Sequence, residues 1–111
     1  MTTLRELQQE LLPWQEHNFP DRDTWEPLVG LSEELGELSH AHLKLHQGIR
    51  LQEDHTSKAK DAIGDILVYL ADYCNARSFD LQKCLDDTWA TVSQRNWRES
   101  PELTREIGET T

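Results

Sequence analysis

The residues best suited to chemistry in this sequence are carboxylates in two groups: Glu33, Glu34 and Glu37, then Asp61 and Asp65. Carboxylate oxygens are the usual protein ligands of the hard cations Mg2+ and Mn2+. A helix turns about 100° per residue, so Leu28, Leu31, Leu35 and Leu38 fall within roughly 80° of arc. On the same wheel Glu34 lies at the edge of that stripe, Glu37 one step further round, and Glu33 nearly opposite the leucines. A carboxylate bordering a packed stripe is costly unless it is paired or holds a metal, which singles out Glu34 and Glu37. Asp61 and Asp65 are one turn apart, where like charges repel. If their helices are antiparallel neighbours, Glu34, Glu37, Asp61 and Asp65 converge, and a divalent cation would relieve the repulsion. The plain alternative is a solvated set of surface acids in an acid-rich chain.

The elements that must position these acids read as helices. Sustained strand alternation and hairpin turn pairs are missing. Leu4, Leu7, Leu11 and Leu12 are spaced for a first amphipathic helix that Pro13 either kinks or ends. Residues 18–23 carry turn residues. A second helix is expected from near Thr24, with Asp23 and Glu26 resembling a capping box and Gly48 as its stop. A third is expected from about Ser57 to Ala76, with Ile63, Ile66, Leu67, Leu70 and Cys74 as its core face and Asp61, Asp65 and Asp72 in a row opposite. A fourth is expected from near Asp80 to about Trp97, with Leu81, Leu85, Trp89 and Val92 as its stripe. The fold class is all-α, an antiparallel four-helix bundle completed by oligomerisation. Residues 1–98 form one helical domain, and 99–111 read as an acidic tail.

Composition narrows the partners. The 111 residues include 11 Lys+Arg and 21 Asp+Glu, a formal net charge of −10. That balance argues against nucleic acid or an anionic membrane as a partner held by general charge attraction. An anionic substrate is compatible only if a bound cation supplies positive charge. No apolar run of about 18 residues is present, so no membrane span is expected. No basic-then-apolar segment opens the chain, and Cys74 and Cys84 make no disulfide framework; both features predict a reduced, cytoplasmic protein. A chain this short buries a modest core, which favours an oligomer.

Glu33-Glu34-Leu35-Gly36-Glu37-Leu38, followed by Asp61-Ala62-Ile63-Gly64-Asp65-Ile66-Leu67-Val68-Tyr69-Leu70, resembles the MazG-like nucleotide pyrophosphohydrolases of the all-α NTP pyrophosphatase group. The resemblance covers roughly residues 5–98. The family pattern is Glu-Glu-x-x-Glu on one helix and Glu-x-x-Asp on the next, all holding Mg2+. Its first half is matched in full, which implies Glu34 and Glu37 as ligands. In the second half Asp65 matches, but Ala62 stands at the Glu position and Asp61 is the neighbouring substitute. The resemblance implies cleavage of a nucleoside triphosphate to the monophosphate and pyrophosphate by a homodimer or homotetramer, with Glu37 or Glu34 taking the proton of the attacking water. Tyr69 resembles a position that contacts sugar or base, with a core tyrosine as the alternative. Trp14 and Trp25 offer stacking faces or packing. Lys58, Lys60 and Arg95 are candidate phosphate contacts, and Gln94-Arg95-Asn96-Trp97 loosely resembles the end of the last family helix.

Competing readings belong to other classes. Glu37-Leu38-Ser39-His40 has the Glu-x-x-His spacing of carboxylate-bridged di-metal bundles, but the third helix has Val68 where a second His is needed. His42 and His46 lie one turn apart without a recognisable third zinc ligand. A non-catalytic helical module that binds metal or nucleotide is the remaining alternative.

Overall fold

The computed structural model describes residues 2–50, 52–96 and 98. Among them the regular structure is helical throughout: α1 (Leu4–Asn18), α2 (Glu26–Gln47), α3 (His55–Arg77) and α4 (Leu81–Val92). The caps explain the boundaries. Side chains of Thr3, Asp54 and Asp80 accept from the amides of Glu6, Ser57 and Lys83 at the starts of α1, α3 and α4. These bonds satisfy amides that a helix start leaves free. At the other end of α2, Gly48 takes the left-handed conformation (φ 68°) and its N–H closes onto Lys44 and Leu45 carbonyls. Asp23 contributes half of the expected box: its backbone N–H donates to Glu26 Oε2, while Trp25 holds the cap position of α2.

One of the two alternatives for Pro13 falls, and two other expectations need revision. Pro13 lies inside α1 without ending it. Helix α4 stops at Val92, well before Trp97, and Trp97 and residues 99–111 fall outside the described residues, as does the acidic tail. The expected core face of α3 is buried only in part: Cys74 is buried and Ile66 and Leu70 are half-buried, but Ile63 is 50% and Leu67 42% exposed, and Leu28, Leu35, Leu45, Leu85 and Trp89 are exposed too.

The seam that holds α2 against α3, the dominant pairing of the fold, is built from smaller residues. Gly30 and Ala41 on α2 and Ala62 on α3 are buried. Tyr69 lies directly over Gly30, so close that a Cβ there would collide with its ring. Gly30, Glu34, Glu37 and Ala41 share one helical face, as do Ala62, Asp65, Tyr69 and Asp72, so the close approach of the two backbones carries both acid groups with it.

Helix α1 lies against another side of α3. Gln8 fastens it there: its Nε2 donates to Asn75 Oδ1 (3.1 Å) and to the Phe79 carbonyl (2.8 Å), while Leu81 N–H donates to its Oε1 (2.8 Å). Leu11, Ala71 and Cys74 are buried in this part of the fold. Helix α4 approaches α1 and α3 but not α2. The radius of gyration is 17.5 Å, against about 13 Å for a compact domain of this length. The helices therefore do not close into a compact bundle within one chain. Both cysteines are free thiols, Cys74 buried and Cys84 exposed. No helix among the described residues is long and apolar enough to cross a membrane.

Candidate functional site

A cavity of about 620 Å3 opens where the α1–α2 loop meets the α2–α3 seam. Its lining divides into two ends. Trp14, Phe19, Trp25, Val68 and Tyr69 supply an aromatic and apolar wall, and Glu33, Glu34 and Asp65 supply carboxylates. Trp14 and Phe19 pack edge to face with ring centroids 5.9 Å apart, which makes that wall a preorganised surface rather than a loose one.

Glu34 is the central acid. One of its oxygens, Oε2, is buried without a hydrogen-bond partner. Its carboxyl is held above its ordinary value of 4.5, first by loss of solvent and then by the adjacent carboxylates of Glu37 and Asp65. Glu37 and Asp65 therefore each lie close enough to act on Glu34. Asp61 is exposed and is not among the groups acting on Glu34; it does not line the cavity. Glu33, expected to point away, is exposed yet contributes to the cavity wall, whereas Glu37 does not line it.

Tyr69 bridges the two ends. Desolvation, followed by the charges of Glu34, Asp65, Glu33 and Asp72, raises its phenol above the ordinary value of 10.0. The hydroxyl is thus a proton-bearing donor at neutral pH, set among acceptors.

The candidate cations lie elsewhere. Lys58 pairs with Glu53 at 3.5 Å. Lys60 is exposed on α3, and Arg95 follows α4 with a buried, unpartnered Nε; neither lines the cavity. The guanidinium that does line it, Arg22, was not foreseen, nor were its partners Gln15 and Asp72. Arg22 Nε donates to Asp72 Oδ1 at 2.9 Å and Nη2 donates to the same oxygen. The same Nη2 donates to Gln15 Oε1 at 3.0 Å. The only hint in the sequence was that Asp72 continued the Asp61–Asp65 row into an apolar stretch. Its partner comes from a loop fifty positions away, beyond any local pattern.

A divalent cation fits this donor set on two grounds: the ligand atoms are all hard oxygens, and Glu34 carries a buried oxygen without a partner. The side chains are not closed into a complete site: no group of three or more His, Cys, Asp or Glu among the described residues has the disposition of a metal site. His40, His42 and His46 therefore gather no such group either. No family model, curated protein or solved structure matches the chain.

Proposed function

We propose that the chain is a Mg2+-dependent nucleoside triphosphate pyrophosphohydrolase that converts (d)NTP and water to (d)NMP and pyrophosphate. The observation that carries this reading is the orphaned Glu34 oxygen beside Glu37 and Asp65, at the mouth of an aromatic-walled cavity. Glu34, Glu37 and Asp65 are the ligands, with Asp61 able to join from the preceding turn. When bound, Mg2+ (or Mn2+) supplies the positive charge against the polyphosphate that a chain of net charge −10 lacks.

The chain's own residues do the rest. Glu34 or Glu37 accepts the proton of the attacking water. The water oxygen bonds to phosphorus, the bond between the α-phosphorus and its bridging oxygen to the β-phosphate breaks, and pyrophosphate leaves. Tyr69 donates its hydroxyl hydrogen bond to the sugar or base. Trp14 and Trp25 stack on the base, and Lys60 and Arg95 contact phosphates, reaching the cavity from outside its present wall. Glu37 reaches the metal from the adjacent turn.

The protein acts as a homodimer or homotetramer in the cytoplasm, in nucleotide-pool house-cleaning. Exposed Leu28, Leu35, Ile63, Leu67, Leu85 and Trp89 support an oligomer, since monomers rarely leave so much apolar side chain open. So does the radius of gyration, well above that of a compact chain. Light scattering after gel filtration reads the assembly directly, and a monomer at micromolar concentration would refute it.

The decisive experiment is pyrophosphate release from a panel of nucleoside triphosphates with Mg2+. Turnover of at least one, abolished by chelation, is expected. Binding of nucleotide without turnover on any member would instead identify a non-catalytic module.

A further inference from the structure

We infer that Gln15 reads the edge of the nucleobase and that Arg22, clamped by Asp72, is the positioning residue that aims it; this rests on the triphosphate reading above. The polyphosphate must lie toward Glu34 and Asp65, where a cation would be held. The base is thereby directed to the aromatic end, among Trp14, Phe19 and Trp25. Gln15 and Asp72 line that same cavity although they are only 5% and 3% exposed.

The chemistry of the cluster fixes its orientation. A guanidinium carries donors and no acceptor. The atom of Gln15 that faces Arg22 must therefore be the amide oxygen, as the 3.0 Å Nη2–Oε1 hydrogen bond requires. That leaves the Gln15 NH2 as a pair of donors, which have no acceptor among the described residues. The orientation is locked because Arg22 is itself held through Nε and Nη2 by Asp72. The Gln15 NH2 is thus left free to donate into the cavity that Gln15 lines. It suits a ligand that brings an acceptor, and the edge of a nucleobase presents carbonyl oxygens and ring nitrogens of that kind. Arg22 commits its Nε and Nη2 to Asp72 and Gln15.

The test compares turnover of nucleoside triphosphates with turnover of inorganic tripolyphosphate, which has no base. In Gln15→Glu, a near-isosteric change that removes the donors and can still meet Arg22, the ratio of kcat/KM for the best nucleotide to that for tripolyphosphate should fall at least about tenfold, through KM rather than kcat, since one lost hydrogen bond to a base is worth about that factor. Arg22→Lys, which keeps the charge but not the planar fork, should lower the same ratio. A ratio unchanged in Gln15→Glu, or a wild type that does not prefer nucleotides to tripolyphosphate, overturns the inference.

Should the wild type turn over nothing, the enzymatic reading fails and the inference is decided separately. Quenching of tryptophan emission by free nucleosides would report on the wall formed by Trp14 and Trp25. Binding weakened at least about tenfold in Gln15→Glu sustains the base-reading role. Equal binding by both proteins, or none by the wild type, rejects it. Circular dichroism of each variant establishes that the helices persist.

Discussion

Two carboxylates on the walls of one cavity meet opposite fates. Asp72 is buried and receives two guanidinium hydrogen bonds from Arg22. Glu34 has a buried oxygen with no donor and two further acids beside it. Folding has supplied one acid with a cation from its own chain and has given the other none. Asp72 is therefore a structural anion, whereas Glu34 is the acid on which the proposed function rests. Neither residue type nor burial alone separates them; the partner does.

The contrast predicts opposite consequences for nearly the same mutation. Asp72→Asn leaves the Arg22 charge in a mostly buried place without its counter-ion, and breaking such a pair costs about 3–5 kcal/mol. Its thermal melt should drop by more than about 10 °C, since each kcal/mol is worth about 4–8 °C in a domain of this size. A drop below a few degrees would show that Arg22 finds other partners. Glu34→Gln should do the reverse. Mg2+-dependent turnover should fall at least about 100-fold, as losses at or near metal ligands do. The melting temperature should hold or rise, because mutual repulsion with Glu37 and Asp65 is relieved. A melt that falls in parallel with activity would make Glu34 structural after all.

Gly30→Ala tests the wall that joins the two acids. The new Cβ would collide with the Tyr69 ring, so the ring must shift from its place over Gly30. Overpacking of this kind costs about 1–3 kcal/mol, and nucleotide KM should rise with Tyr69 displaced. An unaltered melt and KM would mean that α2 and α3 can part without consequence.

Acidity provides a milder version of the same contrast. The folded carboxyl of Glu34 titrates above its ordinary value of 4.5, so the native state binds that proton more tightly than the unfolded chain does. The group's penalty is absent below the unfolded value, grows as pH rises through the folded one, and is complete above it. Mg2+ or Mn2+ should therefore raise the melting temperature at neutral pH, and the gain should shrink as pH falls toward 4.5. A metal-induced shift that is independent of pH would place the cation elsewhere.

Local patterns carried a large part of this molecule. Periodicity and turn residues located the helices among the described residues, and Gly48 and Asp80 marked ends that the structure keeps. The acid positions on α2 and α3 were legible because a helix wheel needs no tertiary information. The packing was not. Leucines dominated the expected core, yet the seam runs along Gly30, Ala41 and Ala62. Close backbone approach is favoured by small side chains, which leave little trace on a scale of hydrophobicity. Leu28, Leu35, Ile63 and Leu67 read as core because they are apolar, yet they are exposed. Arg22 was illegible for another reason. Its partners come from α1 and from the far end of α3, and such pairing appears only when the loop is laid across them.

The smallest expected effect sharpens the comparison most. Glu33 and Glu34 are consecutive and differ by about 100° around α2. Glu33 is exposed though it lines the cavity, whereas Glu34 has a buried oxygen and is acted on by Glu37 and Asp65. Glu33→Gln should change turnover by no more than about twofold, as expected of a surface substitution away from a buried network. Its charge still adds to the field on Tyr69, so a small change in KM without a change in kcat fits the arrangement. A loss as large as that of Glu34→Gln would show that both acids reach the reacting groups. Burial of a single oxygen would then no longer distinguish the functional anion from its neighbour.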